Sequence, residues 1–185
     1  LVYHGDDGEA TTFDFREKAP MAATERMYLG LDGAVVNNSN HFGPLAVGVP
    51  GTVAGLYLAH SRLGSLPWED LVQPAVELAR EGIPITYSLQ TGFERSASRF
   101  RQYPASERKF IKADGSFYEL GETWVQPDLA HTLELIRDNG ADGFYRGENA
   151  ERLASFMADI GGLITEEDLA AYAAREREPI RGTYR

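Results

Sequence analysis

Arg16 is the side chain in this sequence best suited to hold a small anion. It follows the β-favouring run Ala10-Thr11-Thr12-Phe13-Asp14-Phe15. In such a strand Thr11, Phe13 and Phe15 share one face, while Thr12, Asp14 and Arg16 share the other. A planar guanidinium at a strand end can grip a carboxylate through two parallel hydrogen bonds, a geometry lysine does not copy. The adjacent acids Asp14 and Glu17 support a blander reading, a structural or surface ion pair, and by spacing alone that is the stronger one.

Other chemistry-bearing types are more easily explained locally. Asp6-Asp7, Glu166-Glu167-Asp168 and Glu176 could supply paired carboxylates for acid–base work. The first pair sits in a turn and the second group at a helix start, where acids favour the macrodipole. His4, His41, His60 and His131 are far apart and lack metal-ligand spacing, so no metal site is expected. No nucleotide-binding glycine motif and no GxSxG elbow occurs, and no cofactor is expected.

The chain has 185 residues, 43% hydrophobic and 25% charged, the balance of a globular protein with a real core. Its 28 acidic and 18 basic residues leave a net charge of −10, which repels phosphate backbones and argues against nucleic-acid binding. Cysteine is absent, which excludes disulfides, thiolate zinc sites and a cysteine nucleophile. No apolar run approaches a membrane span. Leu1 at the start and the run Pro179–Arg185 at the end read as cuts through a longer protein, the latter as a strand cut short.

The elements that must position Arg16 follow from turn and periodicity signals. Gly5-Asp6-Asp7-Gly8 between two β-favouring runs predicts a hairpin. A short helix is expected over Pro20–Leu29, then a polar, turn-rich loop over 30–44. A helix after Gly51 carries Val53, Leu56, Tyr57 and Leu63 as its apolar stripe and ends near Gly64. The next starts near Pro67, with Leu71, Ala75, Leu78 and Ala79 on one side, and stops at Gly82. Helices are further expected over Tyr87–Phe100, over Pro127–Asn139 with Leu129, Leu133 and Ile136 aligned, and over Glu148–Ile160 with Leu153, Phe156, Met157 and Ile160 aligned. A second hairpin is expected around Asp114-Gly115. A capping box at Thr165 predicts a short helix over 166–172. The chain reads as one α-rich α+β unit over 1–185.

Several segments together resemble the gamma-glutamyltranspeptidase family. Phe13-Asp14-Phe15-Arg16-Glu17-Lys18-Ala19-Pro20 is similar to its RE-x-AP segment, and Val49-Pro50-Gly51-Thr52-Val53-Ala54-Gly55 to its PGTVAG segment. Leu66-Pro67-Trp68, Gln73-Pro74-Ala75, Leu78-Ala79-Arg80-Glu81-Gly82 and Gly143-Phe144-Tyr145 follow in order. Gly161-Gly162-Leu163-Ile164-Thr165, Tyr172 and Pro179-Ile180 through Tyr184-Arg185 complete the match.

The resemblance implies an internal part of the large-subunit region of an N-terminal nucleophile hydrolase, a four-layer αββα sandwich whose central strands lie largely outside this chain. In such enzymes a precursor cuts itself, and a threonine at the new N-terminus attacks a gamma-glutamyl amide, with glutathione the usual donor. Backbone N–H groups stabilise the oxyanion. Water, or an amino acid or peptide acceptor, then resolves the acyl-enzyme. Arg16 matches the large-subunit arginine that grips the α-carboxylate of the glutamyl group. Glu17 is expected to orient the strand end rather than touch substrate.

The family's Thr-Thr/Ser-His processing junction has no counterpart here, because Thr11-Thr12 is followed by Phe13 inside a strand. No catalytic residue is therefore expected in this chain, and the isolated 185 residues should be inactive. The implied partners are the remainder of the large subunit, the small subunit and a gamma-glutamyl donor, with self-association of the fragment through uncovered apolar faces. The implied location is periplasmic or extracellular. Two alternatives stay open: a related acylase acting on cephalosporins or poly-gamma-glutamate, and a non-catalytic helical scaffold module.

Overall fold

The computed structural model describes residues 1–184, and Arg185, the last residue of the C-terminal matching segment, lies outside them. The chain is a helix-rich α+β protein and divides into two compact units, Leu1–Val72 with Glu134–Arg185, and Gln73–Leu133.

In the first unit β1 (Val2–His4) and β2 (Ala10–Asp14) form the expected antiparallel hairpin, with Gly8 at φ 83° in its turn. On its other side β2 pairs with β3 (Arg175–Arg177), placing Asp14 opposite Arg175 and Thr12 opposite Arg177. The strand expected over 179–185 does not form among the described residues 179–184. Pro179 has no N–H to give a ladder, which disfavours extending β3 through it. Residues 20–29 form successive turns instead of a helix, closed by Ala23 N–H to Pro20 O and Leu29 N–H to Arg26 O. Leu29 then bridges to Val35, with Gly30 N–H bonded to Ala34 O and Val36 N–H to Tyr28 O.

After a 3₁₀ turn at Pro44–Ala46, α1 (Thr52–Leu63) begins beside the end of β2. Its expected stripe holds only in part: Val53 packs on the core, Leu56, Tyr57 and Leu63 are exposed, and Gly55 is the buried residue. α2 (Trp68–Glu81) likewise exposes Leu71 and Leu78 and buries Val76 and Ala79. Gly82, at φ 91°, ends it, a conformation glycine takes without the clash a Cβ brings.

The second unit holds α3 (Tyr87–Phe100), α4 (Pro104–Phe110) and a two-stranded ladder of β4 (Ile83–Pro84) with β5 (Thr123–Trp124). Asp114-Gly115 does form a tight turn, with Lys112 N–H bonded to Ser116 O, but its flanks are not strands. Phe110 instead ends α4 and joins Phe93, Phe100, Tyr118 and Trp124 in an aromatic core. Burial of such rings is the main local stabilisation.

α5 (Pro127–Asn139) has its predicted bounds, but it buries Ala130 and Ile136 and leaves Leu129 exposed. α6 (Asp142–Tyr145), α7 (Gly147–Asp159) and α8 (Glu166–Ala170) complete the first unit. On α7 Met157 is buried, whereas Phe156 and the following Ile160 are exposed. The core of this unit joins Val49, Tyr145, Ala150, Met157, Ile164, Leu169 and Tyr172.

Candidate functional site

Arg16 lies two residues beyond the last residue of β2. Its backbone is fixed at both polar groups. Its N–H donates to Asp14 Oδ1 at 3.2 Å, and its carbonyl accepts from the Tyr172 hydroxyl at 2.8 Å. Asp14 is itself held by Arg177 of β3, whose Nε donates to Asp14 Oδ2 at 2.6 Å. The Arg16 N–H first, and then the Arg177 guanidinium, hold the Asp14 carboxyl below its ordinary range. Just downstream, Lys18 and Val49 exchange backbone hydrogen bonds, so the segment leaving β2 is anchored to the one entering α1.

The side chain is another matter. The Arg16 guanidinium is 84% exposed, and Glu17 Oε1 lies 3.2 Å from it. The ion-pair reading of Arg16 is therefore physically present, on a backbone held at both polar groups. An open depression of about 510 Å³ lies beside it, lined among others by Asp14, Phe15, Arg16, Glu17, Thr52 and Arg177. An ion pair this exposed contributes about 0–1 kcal/mol, so an incoming carboxylate can displace or share it at little cost.

Two glycines let α1 approach this strand end. A Cβ on Gly51 would lie 2.0 Å from the Tyr172 hydroxyl and 2.1 Å from the Phe15 carbonyl oxygen. A Cβ on Gly55 would lie 2.0 Å from Cγ of the Phe15 ring. The segment Val49–Gly55 is thus a surface shaped to the residues that precede Arg16. Tyr145 ties down the same segment, donating to Pro50 O at 2.7 Å and accepting from Ala54 N–H at 3.3 Å. Its ring stacks on Tyr172, with centroids 5.6 Å apart and planes 8° from parallel.

The remaining acids take the local roles expected of them. Asp7 Oδ1 accepts from the Glu9 N–H at 3.0 Å, and Glu176 pairs with Arg62 at 2.6 Å. Asp168 closes the capping box with Thr165 and also accepts from the Met21 N–H at 2.6 Å. Burial pushes the Asp168 carboxyl up, but the hydrogen bonds from Met21 and Thr165 outweigh it and hold it below its ordinary range. Among the described residues no three His, Asp or Glu side chains converge as a metal site, and no helix is long and apolar enough to cross a membrane. The contacts of Tyr172 and Arg177 to the Arg16 segment carry no local sequence signal, since they span 156 and 163 positions of sequence.

An α+β framework that presents one arginine beyond the end of a strand is the class of structure defined by this geometry. Residues 1–185 match the Gamma-glutamyltranspeptidase family, and the chain belongs to it. The glutathione hydrolase proenzyme of Pseudomonas sp. (strain A14) is 42% identical over 179 residues, covering 97% of this chain and 31% of that protein. The crystal structure of Helicobacter pylori gamma-glutamyltranspeptidase is 41% identical with a TM-score of 0.97, covering 100% of this chain and 53% of that one. Cephalosporin acylase from Bacillus halodurans is more distant, at 27% identity and a TM-score of 0.80, covering 100% of this chain and 35% of that one. The chain spans about a third of the length of the curated relatives it matches.

Proposed function

We propose that this chain is part of the large-subunit region of a gamma-glutamyltranspeptidase that hydrolyses glutathione and related gamma-glutamyl compounds, or transfers their gamma-glutamyl group to an amino acid or peptide. Family membership over residues 1–185 supports the activity. The observation that carries the site is Arg16, an exposed guanidinium on a backbone fixed at both polar groups. Arg16 binds the α-carboxylate of the glutamyl donor through two parallel hydrogen bonds, and Glu17 shapes the strand end. The threonine nucleophile, its α-amine base and the oxyanion donors come from other parts of the protein, so residues 1–185 alone have no turnover.

On this reading both compact units belong to one larger αββα domain whose central strands lie elsewhere in the protein. The exposed Leu56, Leu63, Leu71 and Leu78 support a role in packing against the rest of the large subunit and the small subunit. The same side chains would drive self-association of the isolated fragment. The whole protein works in the periplasm or outside the cell.

The test is Arg16→Lys in the full-length enzyme. Losing the bidentate grip on a charged partner raises KM for the donor by roughly 10-fold or more, with kcat little changed. An unchanged donor KM rejects the assignment of Arg16. Turnover of a gamma-glutamyl anilide by residues 1–185 alone would reject the division of labour. The similarity to cephalosporin acylase supports a second reading, acyl hydrolysis of a cephalosporin side chain. Comparing glutathione with a glutaryl-cephalosporin on the full-length enzyme separates the two.

A further inference from the structure

In this part of the protein the Arg16 guanidinium is 84% exposed, in an ion pair with a half-exposed Glu17. The backbone that carries it is held more firmly, and its carbonyl end by one phenol. The Tyr172 hydroxyl donates to the Arg16 carbonyl oxygen at 2.8 Å, across 156 residues of sequence.

That phenol is itself tightly located. Its hydroxyl occupies the space that a Cβ on Gly51 would fill, since the two would be 2.0 Å apart. Its ring is stacked on Tyr145, and the Lys18 ammonium sits 5.0 Å from the ring centroid on the way to the Ala173 carbonyl. Burial, with Asp14 and Glu17 nearby, pushes the phenol's pKa up, so it remains a donor.

We propose that Tyr172 is a positioning residue for Arg16: by fixing the Arg16 carbonyl it sets the angle at which the guanidinium meets the donor carboxylate. This inference rests on the reading of Arg16 as the carboxylate-binding residue. The hydroxyl of Tyr172 is engaged by the Arg16 carbonyl, so its effect is exerted through Arg16. It acts as supporting residues do wherever a binding group must be held to within about half an ångström.

The experiment uses the full-length processed enzyme. Tyr172→Phe keeps the ring and its stack on Tyr145 and removes the hydroxyl, with its contact beside Gly51. The donor KM rises about 3- to 10-fold, the effect of one hydrogen bond, while kcat stays nearly constant. In an Arg16→Ala background there is no guanidinium to aim, so adding Tyr172→Phe causes no further fall in kcat/KM. An unchanged KM in Tyr172→Phe, or an equal loss in both backgrounds, overturns the proposal. If Arg16→Lys and Arg16→Ala raise KM and Tyr172→Phe does not, this inference alone fails. If none of the Arg16 variants moves the donor KM, the reading of Arg16 fails and takes this one with it.

Discussion

Gly55 of α1 lies directly against the ring of Phe15, so close that a Cβ on the glycine would sit 2.0 Å from Phe15 Cγ and 2.4 Å from its Cβ. Neither atom is the far end of a flexible side chain, so relief requires the helix to move away from β2. In an open helix, glycine to alanine gains about 1 kcal/mol. Here overpacking costs about 1–3 kcal/mol and wins. Gly55→Ala therefore lowers the denaturant midpoint, as read by chemical unfolding, and a stabilised Gly55→Ala would show that α1 does not seat on Phe15.

Gly92 of α3 gives the opposite outcome from the same substitution. A Cβ there meets nothing within 4 Å, and the residue lies inside a regular helix with no positive φ. Only the propensity gain is left. Gly92→Ala raises stability by about 0.5–1 kcal/mol in the same unfolding measurement.

Asp168 links stability to acid. It is 5% exposed and accepts hydrogen bonds from Met21 N–H, Thr165 N–H and the Thr165 hydroxyl. Its carboxyl titrates below the ordinary 3.8, so its contribution is complete above that pH and is lost as pH falls through the lowered value. Asp168→Ala costs about 1–3 kcal/mol at pH 7 and removes part of the acid limb of the stability–pH curve. An unaltered acid limb would count against this.

Tyr145 acts at the other end of the pH scale. It is 5% exposed, and burial pushes its phenol from 10.0 up to about 12, against a smaller opposing effect of the Ala54 N–H. The neutral form's advantage is intact below about pH 10 and disappears as pH rises through about 12. Ultraviolet titration of the phenolates shows a group ionising near pH 12 that is absent in Tyr145→Phe, while the raised Tyr172 remains in both. That variant also leaves the Pro50 carbonyl without its donor and is less stable by about 1 kcal/mol at neutral pH.

The helices were legible where local signals were complete. Thr165 closes its expected capping box ahead of α8, and α3 and α5 have the bounds expected of them. The faces were less legible, because close packing selects small residues. Gly55, Ala79, Ala97, Ala130 and Ala150 are buried, whereas Leu56, Leu71, Leu78 and Leu129 are exposed. A reading that assigns the largest apolar residues to the core misses these small ones, although Ala79, Ile136 and Met157 do lie buried on the expected faces. Arg16 could be picked out by residue type, strand position and neighbouring motif. Its supports could not, since Tyr172 and Arg177 carry no local pattern that points to residues 14–16.

The pairing of β2 with β3 also has a temporal consequence. Residues 12–14 and 175–177 meet only after the intervening chain exists, and closing so long a loop is entropically slow. During synthesis the hairpin of β1 and β2 emerges early and waits with one edge open. The environment of Arg16 is then among the last parts of the first unit to mature. A destabilised β3 would be felt first as delayed assembly at that strand, before any loss of helix.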